Sequence, residues 1–202
     1  MPSTIELRQT DPVVGHVSDE VLCIQANELE VDIDPALVGA VRKACMEHGF
    51  FYIDLSAEQQ KSIRKTLHQM DRFFSLRDAD HRKQATLADE SDYGWVPKGS
   101  EPAYQPDTVS SLEAFDYGKA NLANPGAHLW PQLPGFRSDL AACWQDYSDL
   151  GDNILRVLAL AAELPVDWLQ ARCDSRDLNT MRLLHYAAEP AMDPQRNVGI
   201  AA

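Results

Sequence analysis

Apolar residues recur at helical spacing in some stretches of the chain and gather into short β-branched or aromatic runs in others. Val21, Leu22, Cys23 and Ile24 predict a short strand within 20–30. Asp34 then offers an N-cap with Pro35 at the first helical position. Leu37, Val41, Ala44 and Cys45 follow as one apolar face that predicts a buried, structural Cys45, and Gly49 supplies the C-terminal stop. Phe50 to Ile53 is aromatic and β-branched, hence a strand. Ser56 and Gln59 have capping-box spacing and open a second helix, with Ile63, Leu67, Met70 and Phe74 as its buried stripe. Residues 77–105 are polar, carry Gly94, Pro97, Gly99 and Pro102, and predict a long loop with little regular structure.

Glu113 to Tyr117 predicts another strand, followed by a Pro/Gly-rich connector over 122–135. Ser138 or Asp139 can cap a long helix near 138–163, whose apolar face is Leu140, Trp144, Tyr147, Ile154, Val157, Leu158 and Ala161. Gly151 interrupts that face and predicts close packing there, and Pro165 stops the helix. A helical turn around Trp168 and Leu169 and a strand over 180–187 complete the pattern. Helices and scattered strands without regular alternation indicate an α+β fold, not a doubly wound sheet.

The 202 residues are enough for a sizeable core. A net charge of −13 argues against nucleic acid, which demands a clustered positive surface, and against an anionic membrane surface. No apolar run approaches the length of a membrane span, and the polar first residues lack the apolar core of a signal peptide. Cys23, Cys45, Cys143 and Cys173 include no C-x-x-C pair and are too sparse for a disulfide scaffold, so reduced thiols in a cytoplasmic protein are expected.

A non-haem iron site needs two histidines and a carboxylate on one face. None of the six histidines is followed two residues later by Asp or Glu. His68 and Asp71 are spaced i, i+3, which fits an exposed polar helix face better than a cation site. No nucleophile elbow, P-loop or dinucleotide fingerprint occurs. The residues alone therefore assign no catalytic and no metal-binding group.

A series of segments, in order, resembles the isopenicillin N synthase-like iron(II)/2-oxoglutarate-dependent oxygenases. Ala44 and Cys45 running into Gly49, Phe50 and Phe51 resembles their A-C-x-x-x-G-F-F entry. Phe73 to Leu76 resembles F-F-x-L, the loop from Tyr93 to Glu101 resembles G-Y-x-x-x-G-x-E, and Glu113 to Asp116 resembles E-x-F-D. Trp130 to Arg137 resembles W-P-x-x-L-P-G-F-R, and Met181 to Tyr186 resembles L-R-L-x-x-Y-P, with Ala187 in place of the proline. Leu184 stands where plant members carry Asn, whose hydrogen bond Leu cannot make. Val198 to Ala202 resembles the run leading into the family's His-x-Asp, so the iron ligands are expected beyond Ala202.

The resemblance implies an incomplete double-stranded β-helix of jelly-roll type flanked by helices. It implies one incomplete oxygenase domain over 1–202, with a helical and strand region at 1–112 and the start of the jelly roll at 113–202. Fe(II) and 2-oxoglutarate are its implied cofactors in the complete protein, with none held by this chain alone, and a small molecule is its implied substrate. Alternation along the last strand puts Arg182, Leu184 and Tyr186 on one face and Met181, Leu183 and His185 on the other. The resemblance turns the first set toward the cosubstrate, with Tyr186 and Arg182 as candidate contacts, and places Glu101 on the substrate side. His185 is expected to pack. The alternatives are a non-catalytic interaction module and a family member that uses no 2-oxoglutarate. An incomplete barrel exposes strand edges, so self-association is expected.

Overall fold

The structure, a computed structural model, describes residues 21–30, 32–88, 93–100, 109–110, 112–123, 130–173, 175–177, 179–186 and 197–198. Its elements are β1 (Cys23–Gln25), α1 (Pro35–Glu47), β2 (Tyr52–Asp54), α2 (Ala57–Phe74), α3 (His81–Gln84), β3 (Gly94–Val96), β4 (Val109–Ser110), β5 (Leu112–Gly118), α4 (Lys119–Ala123), α5 (Phe136–Ala161), β6 (Thr180–Tyr186) and β7 (Asn197–Val198). They fall into two compact units, Met1–Ser56 with Asn153–Gln170, and Ala57–Asp152 with Ala171–Ala202. No described helix is long and apolar enough to cross a membrane.

In the first unit β1 and β2 pair in parallel, with Ile24 opposite Ile53 and Ile24 fully buried. The Asp34 carboxylate accepts from the Ala36 N–H at 2.8 Å, and Pro35 opens α1 as its fixed φ favours. Gly49 takes φ +80 and donates its N–H to the Ala44 carbonyl, which ends the helix. Val41 and Ala44 are buried, but Cys45 is exposed. The expected buried thiol is thus corrected: Cys45 lies about 100° round the helix from Ala44, beyond the edge of the buried stripe. At the far end of α5, Glu163 adopts φ +60 and the Leu164 N–H returns to the Ala159 carbonyl, a Schellman-type stop just before Pro165.

The second unit holds the antiparallel sheet β3-β5-β6. Phe73, Trp95, Phe115, Tyr117, Phe136, Leu140, Trp144 and Leu183 form its core. Rings of Phe73, Phe115 and Phe136 meet at centroid distances of 5.2–5.4 Å, within the range for favourable aromatic pairs. The helix α2 is turned by about one residue from its expected stripe. It buries Ser62, Thr66, Gln69 and Phe73 together with the expected Phe74, while Leu67 is exposed and Ile63 and Met70 are half-buried. The cause is polar: Gln69 donates to the Asp139 carboxylate at 2.6 Å, and Arg72 bonds both the Gln69 side-chain oxygen and the Pro134 backbone carbonyl at 2.7 Å. His68 and Asp71 are exposed, as their polar face predicts.

Three further expectations are corrected in this unit. Residues 77–105 contain regular structure: Asp80 caps α3 through the Arg82 N–H at 2.9 Å, and β3 joins the sheet. Tyr147 on α5 is half-exposed, while Cys143, Ser148 and Leu150 are buried. Gly151 marks no close approach, since a Cβ built there meets nothing within 4 Å.

Candidate functional site

The ladder between β5 and β6 sorts its side chains onto two faces. Tyr186 lies opposite Leu112, Leu184 opposite Ala114 and Arg182 opposite Asp116 on one face. His185 lies opposite Glu113, Leu183 opposite Phe115 and Met181 opposite Tyr117 on the other. The second face packs into the aromatic core. On the first, Leu184 and Tyr186 keep 41% and 40% of their surface in solvent, an open apolar patch on a sheet. The alternation expected for β6 is the one observed.

Each candidate residue has a definite environment or lies outside the described part. The Tyr186 hydroxyl has no hydrogen-bond partner among the described residues. Arg182 is engaged: its Nε and Nη2 each lie 2.7 Å from the Asp116 carboxylate, a bidentate ion pair across the ladder. Glu101 lies outside the described residues. His185 packs only in part: its ring stacks on Phe74 at 5.0 Å and its Nδ1 meets Glu113 at 2.8 Å, while 40% of its side chain stays exposed.

Beneath this face is a polar cluster that the sequence did not suggest. Glu113 is buried and sits between three donors. Trp95 Nε1 reaches one of its oxygens at 2.9 Å and Lys83 Nζ reaches the same oxygen at 2.7 Å. Lys83 is itself 1% exposed, lies 4.7 Å from the Trp95 ring centroid and bonds Asp78 at 2.9 Å. Burying this lysine and carboxylate is tolerable because each is paired and bonded. One signal was available: Glu113–His185 and Asp116–Arg182 share a single antiparallel register, so either pair implies the other. Lys83 gave none, because it lies in the stretch read as loop.

Among the described residues no three His, Cys, Asp or Glu side chains come together as a metal site. The four cysteines are free. Among the described residues, a phenol without a hydrogen-bond partner, the exposed Leu184 side chain and a paired guanidinium share one sheet face.

Residues 23–133, more than half of the chain, match the family described as "non-haem dioxygenase in morphine synthesis N-terminal". The chain belongs to this non-haem dioxygenase family. The matched N-terminal dioxygenase region runs from β1 past β5 and takes in Lys83, Trp95, Glu113 and Asp116, whereas β6 follows it. Azadirone synthase of Melia azedarach is 27% identical over 183 residues, covering 84% of this chain and 54% of that protein. A 2-oxoglutarate-Fe(II) type oxidoreductase of Aspergillus fumigatus is 26% identical over 180 residues, covering 82% and 53%. The dioxygenase chain thus spans about half the length of these curated relatives. Among solved structures, a 2OG-Fe(II) oxygenase family protein from Caulobacter crescentus superposes with a TM-score of 0.66 at 21% identity, over 88% of this chain and 59% of that one. At that identity the likeness is one of fold.

Proposed function

We propose that the whole protein is a non-haem Fe(II) oxygenase that couples decarboxylation of 2-oxoglutarate to oxidation of a small molecule. Membership of the dioxygenase family carries this reading. Bound iron and 2-oxoglutarate would supply the O₂ chemistry, and the protein supplies binding and orientation. The described residues do not make an iron site, so no ligand and no step at the metal is assigned to them.

What this chain contributes is one wall. Its sheet β3-β5-β6 would be part of a jelly-roll barrel flanked by α2 and α5. Tyr186 would donate its hydroxyl to a 2-oxoglutarate carboxylate. Arg182 would add positive charge beside it, weakened by its commitment to Asp116. Leu184 would form the apolar side of the pocket, and Glu101 would stand toward the primary substrate. Residues 1–202 alone would hold no iron and turn nothing over. The β6 edge, which has no second partner among the described strands, would favour self-association. Four free thiols fit a cytoplasmic setting.

Tyr186→Phe in the complete protein tests the assignment. Apparent affinity for 2-oxoglutarate should fall by about 0.5–1.5 kcal/mol, the net value of one hydrogen bond, with iron affinity unchanged. An unaltered affinity for 2-oxoglutarate would reduce Tyr186 to packing.

A further inference from the structure

The open face of β6 carries the proposed cosubstrate residues, but what holds them there lies on the opposite face. The His185 ring is clamped from two directions, stacked on Phe74 with planes 17° apart and bonded through Nδ1 to Glu113 at 2.8 Å. Glu113 cannot drift, because Lys83 and Trp95 hold its other oxygen from α3 and β3. Phe74 is anchored at the end of α2 within the aromatic core. His185 is the penultimate described residue of β6 and pairs with Glu113 one step before the last described pair, Leu112 and Tyr186. This strand is also the sheet's edge, with one hydrogen-bonded neighbour among the described strands. Edge strands fray from their ends, so a side-chain clamp here does what a second neighbouring strand would do elsewhere.

We propose that His185 is a positioning residue: seated between Phe74 and Glu113, it fixes the end of β6 so that Leu184 and Tyr186 are presented together on the open face. Because successive residues of a strand point to opposite faces, holding position 185 against Phe74 and Glu113, where 40% of its side chain stays exposed, sets 184 and 186 on the other face. The bond to Glu113 is the part that fixes register, since the ring stack alone tolerates sliding. The inference rests on the reading of Tyr186 as a cosubstrate contact only for its purpose; the clamp itself is a matter of this chain's own residues.

Two variants separate the halves of the clamp. His185→Phe keeps an aromatic ring against Phe74 and removes the bond. His185→Asn places an amide N–H near the position of Nδ1 and removes the stack. Amide hydrogen exchange is followed in the full-length protein across β5, β6 and α5. The expected result is exchange about tenfold faster at Leu184–Tyr186 in His185→Phe, with α5 unchanged and His185→Asn close to wild type. Wild-type exchange at Leu184–Tyr186 in His185→Phe overturns the proposal. So does equal acceleration throughout β5, β6 and α5 in both variants, which marks a residue of general stability. A 2-oxoglutarate titration of Tyr186→Phe, run alongside, reports separately on the cosubstrate reading: an unchanged affinity there leaves the exchange result standing.

Discussion

Arg182 and Asp116 face each other directly across the β5–β6 ladder, joined by two parallel bonds of 2.7 Å, Nε to Oδ1 and Nη2 to Oδ2. The carboxylate is the more buried partner, with 9% of its side chain exposed against 44% for the arginine. The pair is therefore asymmetric: losing the arginine strands a nearly buried charge, whereas the arginine itself can turn to water.

Arg182→Ala should accordingly destabilise the fold by about 1–3 kcal/mol, below the usual figure for a broken buried pair because Arg182 is part-solvated. Arg182→Lys should recover only part of this, since an ammonium cannot make the bidentate fork. Urea denaturation of the three proteins measures both steps. Equal stability of Arg182→Ala and wild type would show that the pair is a surface contact of no weight.

What the chain disclosed before its structure was the local layer. Asp34 with Pro35, Gly49 and Pro165 mark helix boundaries through backbone geometry that depends on near neighbours, and those boundaries hold to within a few residues. The rotation of α2 was not legible, because it follows from Gln69 meeting Asp139, 70 positions away. A hydrophobicity pattern puts Leu67 inside and Gln69 outside, and the long-range bond reverses them. Lys83 is the same problem at the site: a lysine in a polar stretch reads as solvated until a buried carboxylate is brought over it. The faces of β6 were legible, since strand alternation is geometric, but the partners of Arg182 and His185 required the register.

The Lys83–Glu113 pair should show strong coupling. Lys83→Met leaves Glu113 buried with only Trp95 and His185 and should cost about 3–5 kcal/mol. Glu113→Leu should cost less, because Lys83 keeps its bonds to the Asp78 carboxylate and the Leu76 carbonyl. The double variant, which puts two apolar chains among Phe73, Phe74 and Trp95, should lose much less than the sum. A double-mutant cycle by urea denaturation decides it, and additive losses would mean that the two charges are solvated separately.

Stability against pH should have a plateau with two different limbs. A bond from the Arg82 side chain holds the Asp80 carboxyl well below the usual carboxylate range, and Lys119 lowers Asp177. Burial works against Asp149, but hydrogen bonds from Gln145 and Arg176 keep it low. Depressed carboxylates contribute above their ordinary value of 3.8 and lose that contribution as pH falls. Asp149 and Asp177 are largely exposed, so the acid limb from them should be shallow. Burial raises the Cys143 thiol from 9.0, with Thr66 and Ser62 opposing, and raises the Tyr117 and Tyr147 phenols from 10.0. Raised groups contribute fully below those ordinary values and lose the contribution as pH climbs. Thermal midpoints should fall on the alkaline side from pH about 9 upward. Tyr117→Phe, which removes the most deeply buried phenol among the described residues, should make that fall shallower. A variant with the wild-type alkaline limb would remove Tyr117 from its cause.

Two glycines should respond to alanine in opposite directions. Gly94 opens β3 with φ +110, and a Cβ there would lie 2.5 Å from the Thr86 carbonyl oxygen and 3.3 Å from Ala88 backbone atoms. Those neighbours cannot retreat, because the Thr86 carbonyl accepts from the Trp95 N–H and the Ala88 N–H donates to the Trp95 carbonyl at 2.9 Å. Gly94→Ala therefore meets both an unfavourable backbone conformation and a backbone wall. The strain alone is worth about 1–3 kcal/mol, and the collision adds to it. Because Gly94 pairs with Asp116, any shift of β3 should also disturb the strand that bears the Arg182 ion pair. Gly151 lies within α5 with nothing within 4 Å of its added Cβ, so alanine there restricts only the unfolded chain and improves helix propensity. Gly151→Ala should stabilise by about 0.5–1 kcal/mol. Urea midpoints of both variants in one series provide the check. A wild-type midpoint for Gly94→Ala would mean that the 86–88 segment yields easily. A loss of stability in Gly151→Ala would mean that another surface closes on α5 at this point, restoring the close packing that its place in the apolar pattern first suggested.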